Sequence, residues 1–119
     1  MIEKYSLSAT TTGTTGSATG SKTSANVVSG KVHAVYFTCA SGGTANITLS
    51  QQSAGENILN LTAVASSSWY YPRRELVTNA GSVSLNYEYD RYCALDYLSM
   101  NVTNATTAKT FQLDIYVVN

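Results

Sequence analysis

At 119 residues the chain has the length of one domain, with enough material for a modest core without disulfide staples. Seven Lys and Arg balance seven Asp and Glu, a formal net charge of zero. That balance argues against nucleic-acid binding by phosphate neutralisation and against a polybasic membrane anchor, and its weak self-repulsion suits a protein that sits in an assembly.

The opening residues, Met1-Ile2-Glu3-Lys4-Tyr5-Ser6, lack the basic and then apolar pattern of a signal peptide. No apolar run approaches the roughly 20 residues of a membrane helix. Residues 8–25 contain only Ser, Thr, Gly and Ala apart from Lys22. Such small side chains offer little to offset backbone ordering. The stretch therefore reads as a flexible linker or as an arm that becomes ordered on a neighbouring subunit. Ile2, Tyr5 and Leu7 would anchor that arm or form a short first strand. The expected division is an N-terminal arm over 1–25 and a β-sandwich domain over 26–119.

Period-two alternation dominates from there. Residues 31–39 are almost uniformly apolar and predict a central strand covered on both faces. Ala45, Ile47 and Leu49 alternate with Thr44, Asn46 and Thr48. The run 58–65 mixes its faces, and 69–77 reads as a strand interrupted at Pro72. In 82–89, Val83, Leu85, Tyr87 and Tyr89 share one face. Residues 90–96 break the alternation and predict a loop or single turn. Leu98, Met100 and Val102 oppose Tyr97, Ser99, Asn101 and Thr103. Phe111, Leu113, Ile115 and Val117 oppose Thr110, Gln112, Asp114 and Tyr116. Turn residues punctuate the runs at Ser41-Gly42-Gly43, Ala54-Gly55-Glu56, Asn79-Ala80-Gly81 and Asn104-Ala105-Thr106-Thr107. No segment sustains a 3.6-residue period. The fold class is all-β: an antiparallel β-sandwich or small barrel, jelly-roll-like.

No convincing catalytic constellation emerges, and the chain reads as non-enzymatic. His33 is the sole histidine, and no Gly-x-Ser-x-Gly elbow accompanies it. Glu88 and Asp90 could imitate a glycosidase pair, but solvated charges or an ion pair with Arg91 account for them. Asp90 and Asp96 lack the ligand spacing of a calcium loop. Cys39 and Cys93 form no metal-site pattern and read as reduced, mostly buried thiols, with a disulfide open if the fold joins them. Neither a cofactor nor a metal is expected. The Asn-x-Ser/Thr matches at Asn46, Asn60, Asn101 and Asn104 are of a kind that arises by chance in such a composition.

One segment stands apart. Trp69-Tyr70-Tyr71-Pro72-Arg73-Arg74 holds the sole tryptophan, the sole proline and two of the three arginines. Proline cannot donate to a central ladder, so the segment reads as an extended edge or crossover. Neighbouring strand residues point to opposite faces, so the three rings must divide between two surfaces. Aromatics beside arginines suit a protein interface, since the guanidinium groups can pair with a partner's carboxylates or backbone oxygens. A sugar-binding platform is the alternative use of the same residue types. All six are candidate partner-interface residues.

The order of these elements resembles a known family. Gly30-Lys31-Val32-His33-Ala34-Val35-Tyr36-Phe37, Asn46-Ile47-Thr48-Leu49-Ser50, Ile58-Leu59-Asn60-Leu61-Thr62, Tyr70-Tyr71-Pro72-Arg73, the turn Thr78-Asn79-Ala80-Gly81 and a closing hairpin over 98–118 are similar to small all-β structural proteins of tailed bacteriophage virions, particularly head decoration (cement) proteins. The resemblance spans residues 26–118 and includes no catalytic motif. It implies a homotrimer on the outer capsid surface, made in the host cytoplasm, that binds and stabilises the major capsid protein or another virion protein. It implies neither nucleic-acid nor membrane partners. A head-fibre, neck or tail adhesin with a carbohydrate-binding β-sandwich is the alternative.

Overall fold

The computed structural model describes residues 2–53, 55–75 and 89–119. Its strands are β1 (Ile2–Thr10), β2 (Ala18–Thr23), β3 (Val28–Thr38), β4 (Ala45–Gln51), β5 (Asn57–Val64), β6 (Ser68–Tyr70), β7 (Arg74–Glu75), β8 (Tyr89–Asp90), β9 (Cys93–Asp96), β10 (Leu98–Ala105) and β11 (Thr110–Val118). All pairings are antiparallel. The first sheet runs β1-β11-β3-β6, with β9 pairing the N-terminal part of β3. The second runs β2-β10-β4-β5, and β7 pairs β8 separately. β10 slots between β2 and β4, and β11 between β1 and β3. This is the winding of a jelly roll, with the two sheets stacked as a sandwich.

Alternation explains the stacking. Phe111, Leu113, Ile115 and Val117 of β11 point inward, as do Val32, Val35 and Phe37 of β3, and all are fully buried. Ala45, Ile47 and Leu49 of β4 meet them from the second sheet with Leu98, Met100 and Val102 of β10. Phe37 and Phe111 stack at the centre, with ring centroids 6.1 Å apart and planes 7° from parallel.

The stretch read as an arm lies within the sandwich. β1 is the edge of the first sheet and pairs with β11 from Ile2↔Val118 to Thr10↔Thr110. β2 is the edge of the second sheet, against β10. Leu7, Ala9 and Ala18 are buried, and the buried Thr11 hydroxyl donates to Thr106 O at 2.6 Å. Small residues suffice because each strand needs only one inward row, and the ladder satisfies the backbone.

Three further expectations change. Residues 93–96, expected in a loop, form β9: Ala94 is its inward residue, while Leu95 points outward. That inversion of size hid the strand. Residues 98–118 do not form a hairpin, since β10 and β11 belong to opposite sheets. Positive φ occurs at Asn104 near the end of β10 and at Ala108 in the connection, and the Ala108 amide donates to Thr11 O. The thiols are both free, Cys93 exposed and Cys39 half-buried. β3 is central, as expected, but its outer face is only partly covered: Lys31 and His33 are exposed. The expected strand over 82–89 falls outside the described residues except at Tyr89, as does the turn at Asn79-Ala80-Gly81.

Candidate functional site

The outer faces of the two sheets differ in chemistry. On the second sheet the outward residues are hydroxyls and amides, such as Ser21, Asn101, Thr48 and Asn60 in one cross-strand row. On the first sheet they include a cluster of rings.

Register builds that cluster. Tyr36 of β3 lies opposite Trp69 of β6, and their ring centroids are 4.9 Å apart at an interplanar angle of 55°. Tyr116 of β11 lies opposite Ala34, and its ring is 5.4 Å from Trp69 at 39°. The pairing steps from Tyr116↔Ala34 to Val117↔Val32, so His33 is an extra, bulged residue. The bulge keeps Val32 inward while Ala34 and Lys31 face out. Ala34 is buried although it lies outside the inter-sheet core, because the rings close over it. The result is a cleft of about 250 Å³ bounded by Ile2, His33, Ala34, Trp69, Tyr71 and Tyr116. Trp69 is 48% exposed and Tyr71 59%.

Polar groups flank the rings. Asp114 lies opposite both Tyr36 and Ser6. Its Oδ1 accepts the Ser6 hydroxyl at 2.7 Å and Gln112 Nε2 at 2.8 Å. Both donors converge on one oxygen, so Oδ2 takes no hydrogen bond from the described residues. Lys4 lies opposite Tyr116.

The Trp69-to-Arg74 segment divides as alternation required. Trp69 and Tyr71 present exposed rings, whereas Tyr70 is half-buried against the core and Pro72 is buried. Pro72 sits between β6 and β7, where no ladder needs an N–H. Arg73 Nη1 donates to His33 O at 3.2 Å and Pro72 O at 2.7 Å, so it caps the carbonyl at the bulge. Arg74 Nη1 is 4.0 Å from Glu56 Oε2. Tyr36, Tyr116, Gln112 and Asp114 were not singled out from sequence. Their signal was present: Gln112, Asp114 and Tyr116 share the polar face of an amphipathic strand.

Of the residues considered for catalysis, only His33 has a described side chain. His33 is exposed on the bulge. Glu88 and the Asp90 side chain lie outside the described residues. Asp96 accepts the amides of Ser53 at 2.6 Å and of Tyr97 at 2.7 Å, a structural use. Among the described residues no group of three or more His, Cys, Asp or Glu side chains gathers to hold a metal. Among the same residues no helix is long and apolar enough to cross a membrane.

No family model matches the chain, and no curated protein matches it. Among solved structures it is similar to a mutant of a family 29 carbohydrate-binding module, at 9% identity and a TM-score of 0.40, over 98% of this chain and 79% of that one.

Proposed function

We propose that the chain is a non-enzymatic binding module that holds carbohydrate on the outer face of its first sheet, in the manner of an adhesin component of a virion. One observation carries the reading. An exposed tryptophan, propped by two tyrosines, shares the outer face with a carboxylate, Asp114, one strand beyond Tyr36, and with the amide of Gln112 bonded to it. A sugar ring offers an apolar C–H face and a rim of hydroxyls. The first stacks on exposed rings, and the second needs acceptors and donors such as Asp114 and Gln112. The rings are tilted rather than coplanar, so they form a cleft instead of a flat platform. Its volume is below the roughly 300–1,000 Å³ of an enclosed small-molecule pocket and suits an open face contacting part of a longer ligand.

A capsid decoration protein, trimeric on the outer capsid, is the second reading. The exposed rings of Trp69 and Tyr71 would serve it too, and jelly rolls occur in viral capsid and lectin domains alike, so fold does not choose. Arg73 spends Nη1 on two backbone carbonyls, which leaves it less to offer a protein partner, whereas Arg74 keeps a half-exposed guanidinium 4.0 Å from Glu56 and would serve either ligand. The virion setting rests on the sequence resemblance.

An array of immobilised glycans probed with the wild-type chain, Trp69→Ala and Asp114→Asn tests the proposal. Wild-type binding that drops at least tenfold in both variants is expected. Absence of binding to any glycan, together with retention on purified particles, would replace it with the decoration reading.

A further inference from the structure

The seam between the two sheets opens where their edge strands β1 and β2 face each other. A cleft of about 270 Å³ lies there, with Lys4 and Ser6 on one lip and Lys22, Thr23 and Asn26 on the other. Lys4 leaves β1 on the outer side, as its partner Tyr116 leaves β11. Lys22 pairs with the buried Met100, so it leaves β2 on the inner side, toward the seam. Two ammonium groups therefore border one cleft, and none of the described Asp or Glu residues lines it. Among the described residues neither lysine has a hydrogen-bond or ion-pair partner. Glu3, on the inner side of β1, is engaged by the Tyr5 hydroxyl and Asn119 Nδ2. Asp114, diagonal to Lys4, holds Ser6 and Gln112 on Oδ1 and makes no ion pair with Lys4.

An inward lysine on an edge strand discourages pairing with another chain. That use needs one charge and leaves the second unexplained. Two like charges on one cleft repel, and an anion between them turns the repulsion into attraction. Nor is charge spread evenly over the surface. Two cross-strand rows on the second sheet's outer face, the one named above and Thr23, Ser99, Ser50 and Asn57, carry none. The cationic cleft also adjoins the rings. Lys4 is the cross-strand partner of Tyr116, and Tyr116 is a wall of the Trp69 cleft.

We infer that the ligand is an acidic glycan: a sugar ring packs in the Trp69 cleft while an acidic group of the same oligosaccharide is held between Lys4 and Lys22. The inference rests on the carbohydrate reading and adds the ligand's charge. A uronate carboxylate and a sulfate ester share the chemistry required, anionic oxygens that accept from ammonium donors.

The test titrates oligosaccharides into the full chain and follows emission from Trp69, the sole tryptophan. Each acidic series is matched to a neutral one of the same length and linkage: uronate oligomers to their carboxyl-reduced forms, and sulfated oligomers to their desulfated forms. Exposed ion pairs are individually weak, so the acidic member should bind about five- to tenfold tighter at low salt. The gap should close as NaCl approaches about 0.5 M. A gap in the uronate series alone identifies the group as a carboxylate, and in the sulfated series alone as a sulfate. Lys4→Gln/Lys22→Gln should remove the gap, and Lys4→Arg/Lys22→Arg should retain it. Both lysines are exposed, so neither pair of substitutions disturbs the core. Equal affinity for acidic and neutral members, or a gap that survives the Gln pair, overturns the inference and leaves the carbohydrate reading intact. No response of Trp69 to any sugar overturns both.

Discussion

Gly30 is where the two halves of the outer face are joined, and replacing it with alanine gives a sharp test of the packing. It pairs with Ala94 of β9, while its neighbour Lys31 pairs with Val118 of β11. Its φ is +136°, a region that side chains rarely adopt. A Cβ there would stand 2.7 Å from Val117 Cγ1, 2.7 Å from Val118 O and 3.1 Å from Asn119 Cβ. Val117 is β-branched and buried, so its methyl has no easy rotamer to retreat to. The Val118 oxygen is backbone and moves only with β11. Backbone strain of about 1–3 kcal/mol and overpacking of about 1–3 kcal/mol give a loss of roughly 2–6 kcal/mol. For a chain of this size that lowers Tm by roughly 8–24 °C. Gly42→Ala is the control: φ is +72°, but no atom lies within 4 Å. It bears only the conformational penalty of about 1–2 kcal/mol, a drop of roughly 4–8 °C. Thermal unfolding followed by far-UV circular dichroism compares the two. If Gly30→Ala melts no lower than Gly42→Ala, the junction between β3, β9 and β11 is not packed as described.

Three further outcomes follow from particular contacts. Phe111→Ala removes half of the central ring stack from a fully buried site and should cost about 3–5 kcal/mol in chemical denaturation. The Tyr5 hydroxyl donates to Glu3 Oε2 at 2.5 Å, which with Asn119 Nδ2 holds the Glu3 carboxyl below its ordinary range and raises the Tyr5 phenol. The Glu3 contribution to stability is present above its unfolded pKa and lost as pH falls through the lowered folded value. The Tyr5 contribution is present below the phenol's unfolded pKa and lost as pH rises through the raised one. In Tyr5→Phe, carboxyl titration by NMR should show Glu3 moving partway back up, while Asn119 keeps some of the shift. Burial pushes the Cys39 thiol up, whereas Cys93 is exposed, so iodoacetamide near neutral pH should alkylate Cys93 first, as peptide mass mapping would show.

Much of the sandwich was legible because period-two alternation is a local signal. β4, β10 and β11 follow directly from rows such as Phe111, Leu113, Ile115 and Val117. What alternation could not carry was pairing. β1 and β2 hold too few large side chains to announce themselves, and are strands because β11 and β10 offer them a ladder. β9 hid because its inward residue is Ala94 and its large residue, Leu95, faces out. The ring cluster needed register: Tyr36, Trp69 and Tyr116 are 33 and 47 residues apart in sequence and meet only because β3 lies between β6 and β11. The division of Trp69, Tyr70 and Tyr71 between faces was readable from alternation alone. The turn of the exposed Arg73 back onto backbone was not, since it depends on the carbonyl at the His33 bulge.

The central claim is that the outer face of the first sheet is the ligand face. Backbone amide shifts in a 15N-labelled chain saturated with an array-selected oligosaccharide test it most directly. The account predicts perturbations at Lys4, Ser6, Ala34, Tyr36, Trp69, Asp114 and Tyr116, with the outer face of the second sheet silent. Perturbations centred on Ser21, Thr48, Asn60 and Asn101 would contradict it and move the site to the hydroxyl and amide face of the second sheet.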